Sequence, residues 1–135
     1  MKKIILFFII LLFPLVIYGK NYLCIIEITT GLIKQQNGEW RSSRFEGSNY
    51  LISFENNSLK SVKKFGSDIN LCDHGFRNSQ NYNTSQCLGG KYGRIIEIFE
   101  FHTILKRFTR VYISGYTENI SGDTPTIGGG KCSSF

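Results

Sequence analysis

Histidine, tryptophan and proline are scarce, with two, one and two respectively in 135 residues. His74 and His102 form no His-x-x-x-His spacing, and the four cysteines fall in no Cys-x-x-Cys pair, so a metal centre has no motif to stand on. No serine sits in a Gly-x-Ser-x-Gly elbow, and no glycine-rich phosphate loop leads into a helix. Gly89-Gly90-Lys91-Tyr92-Gly93 reads as a turn instead. Helix signals are nearly absent beyond the N-terminal run: no window joins apolar residues at i, i+3, i+4 and i+7 to a capping residue. What is present is a globular composition, 41% apolar and 19% charged, of a length that holds one domain.

The first residues form a separate unit. Lys2 and Lys3 precede an apolar run from Ile4 to Tyr18, and Gly19 then meets polar Lys20 and Asn21. A charged start, an apolar stretch and a small-residue exit make a secretory signal peptide. The run of 15 residues is short of the roughly 20 that a spanning helix needs, and Pro14 interrupts its last turn. The expected division is a signal peptide over 1–19 and one domain over 20–135. Cleavage removes two lysines and no acids, so a net charge of +6 becomes +4. The expected location is the periplasm or the exterior, with no stable membrane span after cleavage.

Cys24, Cys72, Cys87 and Cys132 all fall in the domain, and an even count in an exported chain reads as oxidised. Four cysteines allow three connectivities, of which Cys72–Cys87 with Cys24–Cys132 is favoured. The stretch from Asp73 to Gln86 is polar and aperiodic, and so long a loop in a compact domain needs a tie. Cys24 and Cys132 would join the two ends of the fold.

Segments rich in β-branched and aromatic residues alternate with turn signals about every ten residues. Strands are expected at 22–30, 50–54, 59–65, 69–72, 94–102, 108–116 and 127–132. Asn37-Gly38 is the strongest hairpin signal, and Glu46-Gly47-Ser48, Asn56-Asn57 and Gly66-Ser67-Asp68 are further turns. The fold class is therefore all-β: a small antiparallel up-and-down meander, barrel-like, with about seven or eight strands and two disulfides. A lipid-facing barrel is disfavoured, because alternate residues back from Phe135 are Ser133, Lys131 and Gly129.

Few residues suggest chemistry. Glu97 and Glu100 point to opposite faces of one strand and cannot pair. Asp123-Thr124-Pro125 is a turn former. Phe108, Arg110 and Tyr112 share a strand face, with Lys106 and Arg107 alongside. That pattern can read single-stranded nucleic acid, but it reads first as core aromatics under a basic stem. Trp40 reads as a core plug ahead of an anchor at a barrel mouth. The expectation is no enzyme, no cofactor and no nucleic-acid partner. A partner is expected at the Asp73–Gln86 loop, through His74, Phe76, Arg77 and Tyr82, with Tyr92 just beyond it; the competing reading makes this loop a cap plugged by Phe76 and Tyr82.

Two resemblances bear on function. Leu105, Arg107-Phe108, Tyr112, Gly115-Tyr116, Asp123-Thr124-Pro125 and Gly130-Lys131-Cys132-Ser133, with Tyr22-Leu23-Cys24 and the Trp40 region, resemble a family of small exported bacterial proteins. That family implies an envelope or secreted location and brings no activity. Tyr22-Leu23-Cys24 and Gly90-Lys91-Tyr92 are also similar to segments of the periplasmic lysozyme inhibitors, which are disulfide-containing β-barrels. Leu88 and Gly89 stand where that family's loop has its serine, and a positive chain suits a cationic lysozyme poorly. The expected function is an exported non-enzymatic binding or structural module for a protein or envelope ligand. The alternative is an inhibitor of a cell-wall hydrolase.

Overall fold

The computed structural model describes residues 19–91, 93–116 and 123–135. These form strands β1 (Gly19–Lys34), β2 (Trp40–Arg44), β3 (Tyr50–Glu55), β4 (Ser58–Lys64), β5 (Phe76–Ser79), β6 (Thr84–Lys91), β7 (Arg94–His102), β8 (Arg107–Tyr112) and β9 (Thr126–Ser134). All pairings are antiparallel and follow the path β4-β3-β1-β9-β8-β7-β6-β5, with β2 also on β1. Most pairs join strands that follow one another in sequence or flank the short β2; the long-range pair is β1–β9, which brings the two ends of the domain together. β2 and β3 share one edge of β1, opposite 30–34 and 19–24 respectively, and act as one interrupted strand. The result is an all-β, nearly closed barrel of eight staves.

Local chemistry explains the turns. Asn56 and Asn57 both take positive φ, 50° and 62°, between the register partners Glu55 and Ser58. Asparagine tolerates that conformation, and two such residues in a row match the twist of the flanking strands. Gly38, at φ 85°, completes the Asn37-Gly38 turn between β1 and β2. β1 stays continuous over 16 residues because a register shift between Ile26 and Ile28 bends it around the barrel.

The core is aromatic. Phe99 and Phe101 are fully buried, Phe99 stacks on Phe108 at 5.0 Å, and Tyr50 packs edge-on against both Phe99 and Phe108. Tyr22 packs at 5.0 Å from Phe101 and 5.8 Å from Phe54. Such offset and edge-on pairs add to the area they bury. Both disulfides form with the expected partners. Cys24 and Cys132 face each other in the β1–β9 ladder, and Cys72 is joined to Cys87. β9 approaches β1 so closely that a Cβ on Gly130 would lie 2.0 Å from the Ile25 carbonyl oxygen.

Several sequence expectations need correction. The stretch from Asp73 to Gln86 is not an irregular loop, since it contains β5, a 3₁₀ turn at Gln80–Tyr82 and the start of β6. Its polar side chains concealed a hairpin whose register pairs Phe76 with Cys87 and Ser79 with Thr84. Residues 69–72 give only a bridge from Asn70 to Lys63, and the strand expected to 116 ends at Tyr112. Trp40 is half-buried outside the core and packs against Tyr116 at 5.2 Å. Of the signal-peptide stretch, only Gly19 lies within the described residues, where it begins β1.

The basic-aromatic face of β8 points inward. Phe108 is core, Arg110 is paired with the Glu97 carboxylate, and the Tyr112 hydroxyl donates to Asp123 at 2.6 Å. Ser114 donates to the other oxygen of Asp123 at 2.8 Å. The guanidinium is compensated inside the barrel, so this face does not form a cationic surface for a nucleic acid. Glu100, on the opposite face of β7, accepts instead from the Gln86 amide at 2.6 Å.

Candidate functional site

The ring of staves fails to close at one place, between β4 and β5, which are not hydrogen-bonded neighbours. One end of this seam is tied. The Leu71 N–H donates to the Val62 carbonyl at 2.8 Å, and the Asn70 side-chain oxygen accepts from the N–H groups of Val62 and Cys72 at 3.1 and 3.2 Å. The Cys72–Cys87 bond then fastens the segment after β4 to β6. These bonds occupy the edge of β4 near Val62 and Lys63 and leave its Ser58 end uncovered.

A cleft of about 330 Å³ opens at that end. The β3–β4 turn supplies Asn56 and Asn57, β5 supplies Asn78, and Asn83 begins the return into β6. Hydroxyls of Ser58, Ser79, Ser85 and Thr103 complete its polar wall, and no ionisable side chain lines it. The far wall is built by hydrogen bonds between turns. Both the N–H and the hydroxyl of Thr103 donate to the Asn83 carbonyl, at 2.8 and 3.0 Å. Asn78 and Ser85 are register partners, so their side chains lie on the same, inner face of the hairpin.

A second lobe of about 300 Å³ shares Asn57 and Thr103 with the first. Its walls are Tyr22, Phe54, Lys20 and Lys106. Lys106 sits at φ 53° in the β7–β8 turn, and its ammonium lies 4.7 Å above the Tyr22 ring. That ammonium donates to the Tyr22 hydroxyl at 3.1 Å and to the Thr103 carbonyl. Among the described residues, neither Lys20 nor Lys106 has a carboxylate in ion-pair range. The combined cleft is thus neutral and amide-rich in one lobe and cationic in the other. Amides and hydroxyls both donate and accept, so the first lobe can match a ligand carrying many alternating donors and acceptors.

The residues expected from the sequence divide. Tyr82 lies in the 3₁₀ turn between Ser79 and Asn83, beside the cleft, and is 73% exposed. Phe76 and Arg77 are exposed on β5; Arg77 is in register with Gln86, on the strand face opposite Asn78. Phe76 and Tyr82 are too exposed to be the plugs of a cap. His74 does not approach the cleft. Its Nδ1 meets the Asp73 carboxylate at 3.1 Å, and that same carboxylate oxygen accepts from the Gly90 N–H at 2.8 Å. These contacts, led by the His74 hydrogen bond, lower the Asp73 pKa below the usual carboxylate range. The His74 ring occupies the space of a side chain on residue 90, since a Cβ there would lie 2.2 Å from it. His74 and Asp73 therefore brace the outer end of β6. Cys72 and Cys87 are bonded to each other, which removes the thiolates a metal would need. Tyr92 lies outside the described residues.

Sequence reasoning missed Asn56, Asn57, Asn78 and Asn83 as a group, although the asparagine-rich turns were visible singly. It also passed over Lys20, whose strand position is decided by pairing with Phe54, and Lys106, whose turn folds back over Tyr22. No protein-family model matches the chain, and no curated protein or solved structure matches it.

Proposed function

We propose that the chain is an exported, non-enzymatic binding module that holds its ligand in the cleft at the open seam. The observation that carries this reading is the cleft itself. A core filled by aromatic rings leaves the seam end as the place where polar side chains from the β3–β4, β5–β6 and β7–β8 turns converge around open volume. The disulfides fix that geometry and suit an oxidising compartment, in keeping with the charged and apolar N-terminal pattern. Both histidines serve as structural braces: His74 binds Asp73, and His102 Nδ1 accepts from the Leu105 N–H at 3.2 Å. This supports a role without acid–base catalysis.

The second reading, an inhibitor of a cell-wall hydrolase, draws on the exposed Lys91 at the β6–β7 turn. The two place the contact surface on different parts of the barrel. Amide chemical shifts of the labelled protein, followed during titration with a soluble envelope fraction, separate them. The cleft reading expects perturbations at Asn56, Asn57, Asn78 and Asn83. Inhibition of a muramidase that is lost in Lys91→Ala, with the cleft amides unmoved, replaces it with the inhibitor reading.

A further inference from the structure

We infer that the ligand of this cleft is an acidic saccharide, with its hydroxyl and amide groups in the asparagine lobe and its carboxylate in the lysine lobe. The inference rests on the binding-module reading and names the ligand class. A peptide strand added to the seam is the obvious competitor, and spacing excludes it. An interposed strand needs its neighbours about 9.5 Å apart, twice the inter-strand distance. Cα atoms of β4 and β5 come within 8 Å of each other, so no strand can run the full length of the seam between them. The ligand must therefore bind through side chains at the end of the seam.

Those side chains select the chemistry. Asn56, Asn57, Asn78 and Asn83 each offer a carbonyl acceptor and an amino donor, and no charge competes with them in that lobe. A sugar ring presents the complementary array of hydroxyls, each donating and accepting. Exposed Tyr82 on the adjoining turn supplies a flat apolar face of the kind a pyranose ring can cover. The second lobe differs by two ammonium groups. Lys106 spends its contacts on neutral oxygens and the Tyr22 ring, and Lys20 stands at the mouth. A carboxylate placed there would form charge-assisted hydrogen bonds. Cleavage after Gly19, the expected export site, would put an α-ammonium on Lys20 and strengthen the same lobe. The shared residues Asn57 and Thr103 make the lobes contiguous, so one ligand spans both.

Carboxylate-bearing sugars have two sources, muramic acid in wall glycans freed of their stem peptides and uronic acids in polysaccharides. Calorimetric titration of the protein purified from an export host would use three probes: the N-acetylglucosamine–N-acetylmuramic acid disaccharide, tetragalacturonate and neutral chitobiose. At least one acidic probe should bind about tenfold or more tighter than chitobiose, in a salt-sensitive manner. Which acidic probe binds identifies the source. Lys20→Gln and Lys106→Gln should each bring the acidic probe toward the neutral level, and Lys106→Arg should restore it. Asn78→Ala should weaken every saccharide that binds. Because Lys106 packs on the core, Lys20→Gln is the decisive variant for a properly folded protein. Equal binding of acidic and neutral probes, or acidic binding unchanged in both lysine variants, overturns the inference. If no saccharide binds while the envelope fraction still shifts the cleft amides, the saccharide falls and the binding module stands. If the cleft amides never shift, both fall.

Discussion

Cys72 and Cys87 are bonded across the one flank of the barrel that no continuous backbone ladder closes. Cys24 and Cys132 are bonded within a ladder that eight other register pairs and flanking strands already support along β1 and β9. The same covalent link therefore does different structural work at the two places. Replacing Cys72 and Cys87 by serine should cost about 3 kcal/mol in the chain-entropy account of a 15-residue closure. At about 4 °C per kcal/mol for a domain of this size, the melting midpoint should fall by roughly 12 °C. Hydrogen exchange should also accelerate at Leu71 and Val62, whose bonds hold the seam. In the Cys24→Ser, Cys132→Ser pair, the β1–β9 amides should keep their protection relative to the global opening. Equal loosening of seam and ladder in both variants would contradict this distinction.

Arg110 and Glu97 form an ion pair whose side chains are 24% and 14% exposed. Removing one partner leaves the other charge partly buried. Arg110→Met and Glu97→Leu should therefore each destabilise by about 3 kcal/mol, whereas the double change Arg110→Met, Glu97→Leu should recover most of that loss. Urea unfolding of the two single variants and the double variant measures the coupling. Additive losses would show that the pair does not act as a unit.

Alkaline pH should destabilise the barrel through Tyr50 and Tyr112. Burial raises the Tyr50 pKa above its ordinary value of 10.0; nearby Arg110 opposes the shift and Glu97 adds to it. Burial also raises Tyr112, reinforced by its hydrogen bond to the Asp123 carboxylate. A pKa raised in the folded state means that stability is full below the unfolded value and falls as pH rises through the folded one. Stability should thus be flat up to about pH 10 and then decline. Tyr50→Phe and Tyr112→Phe should each make that decline shallower, as read by unfolding midpoints across the alkaline range. A decline of unchanged slope in both variants would assign it to other groups.

Gly130 sets how closely the first and last strands meet. With the Ile25 oxygen 2.0 Å from an added Cβ, and backbone rather than a flexible side chain in the way, Gly130→Ala must push β9 from β1. The expected loss is more than about 2 kcal/mol, with faster exchange in the β1–β9 ladder. Tyr82→Ala, at a residue 73% exposed, should by contrast change stability by no more than about 0.5 kcal/mol. Matched thermal melts of the two variants check both values.

The candidate site was only partly legible. Tyr82 was singled out because an aromatic in a polar segment stands out in sequence, and it lies on the turn between Ser79 and Asn83, which line the cleft. Asn78 and Asn83 sit in that same segment, yet their convergence with Asn56 and Asn57 depends on β5 lying across the seam from β4. His74 looked like a binding residue for the same reason as Tyr82, and only the vacant side-chain space at Gly90 turned it into a brace.

What the sequence alone determined is what local chemistry encodes. Alternating β-branched and aromatic residues specify β3 and β7, and Asn37-Gly38 and Asn56-Asn57 specify the β1–β2 and β3–β4 turns, because twist and positive φ are properties of a few consecutive residues. Cysteine count and spacing led to both disulfides. The tertiary structure decided everything that joins distant segments. It paired β1 with β9, made a strand of polar Phe76–Ser79 by laying it on β6, turned Arg110 inward to Glu97, and left the seam open between Ser58 and Ser79. Pairing of that kind depends on which edges remain free after the local hairpins form, and on how a closed ring of fixed strand spacing accommodates its last stave.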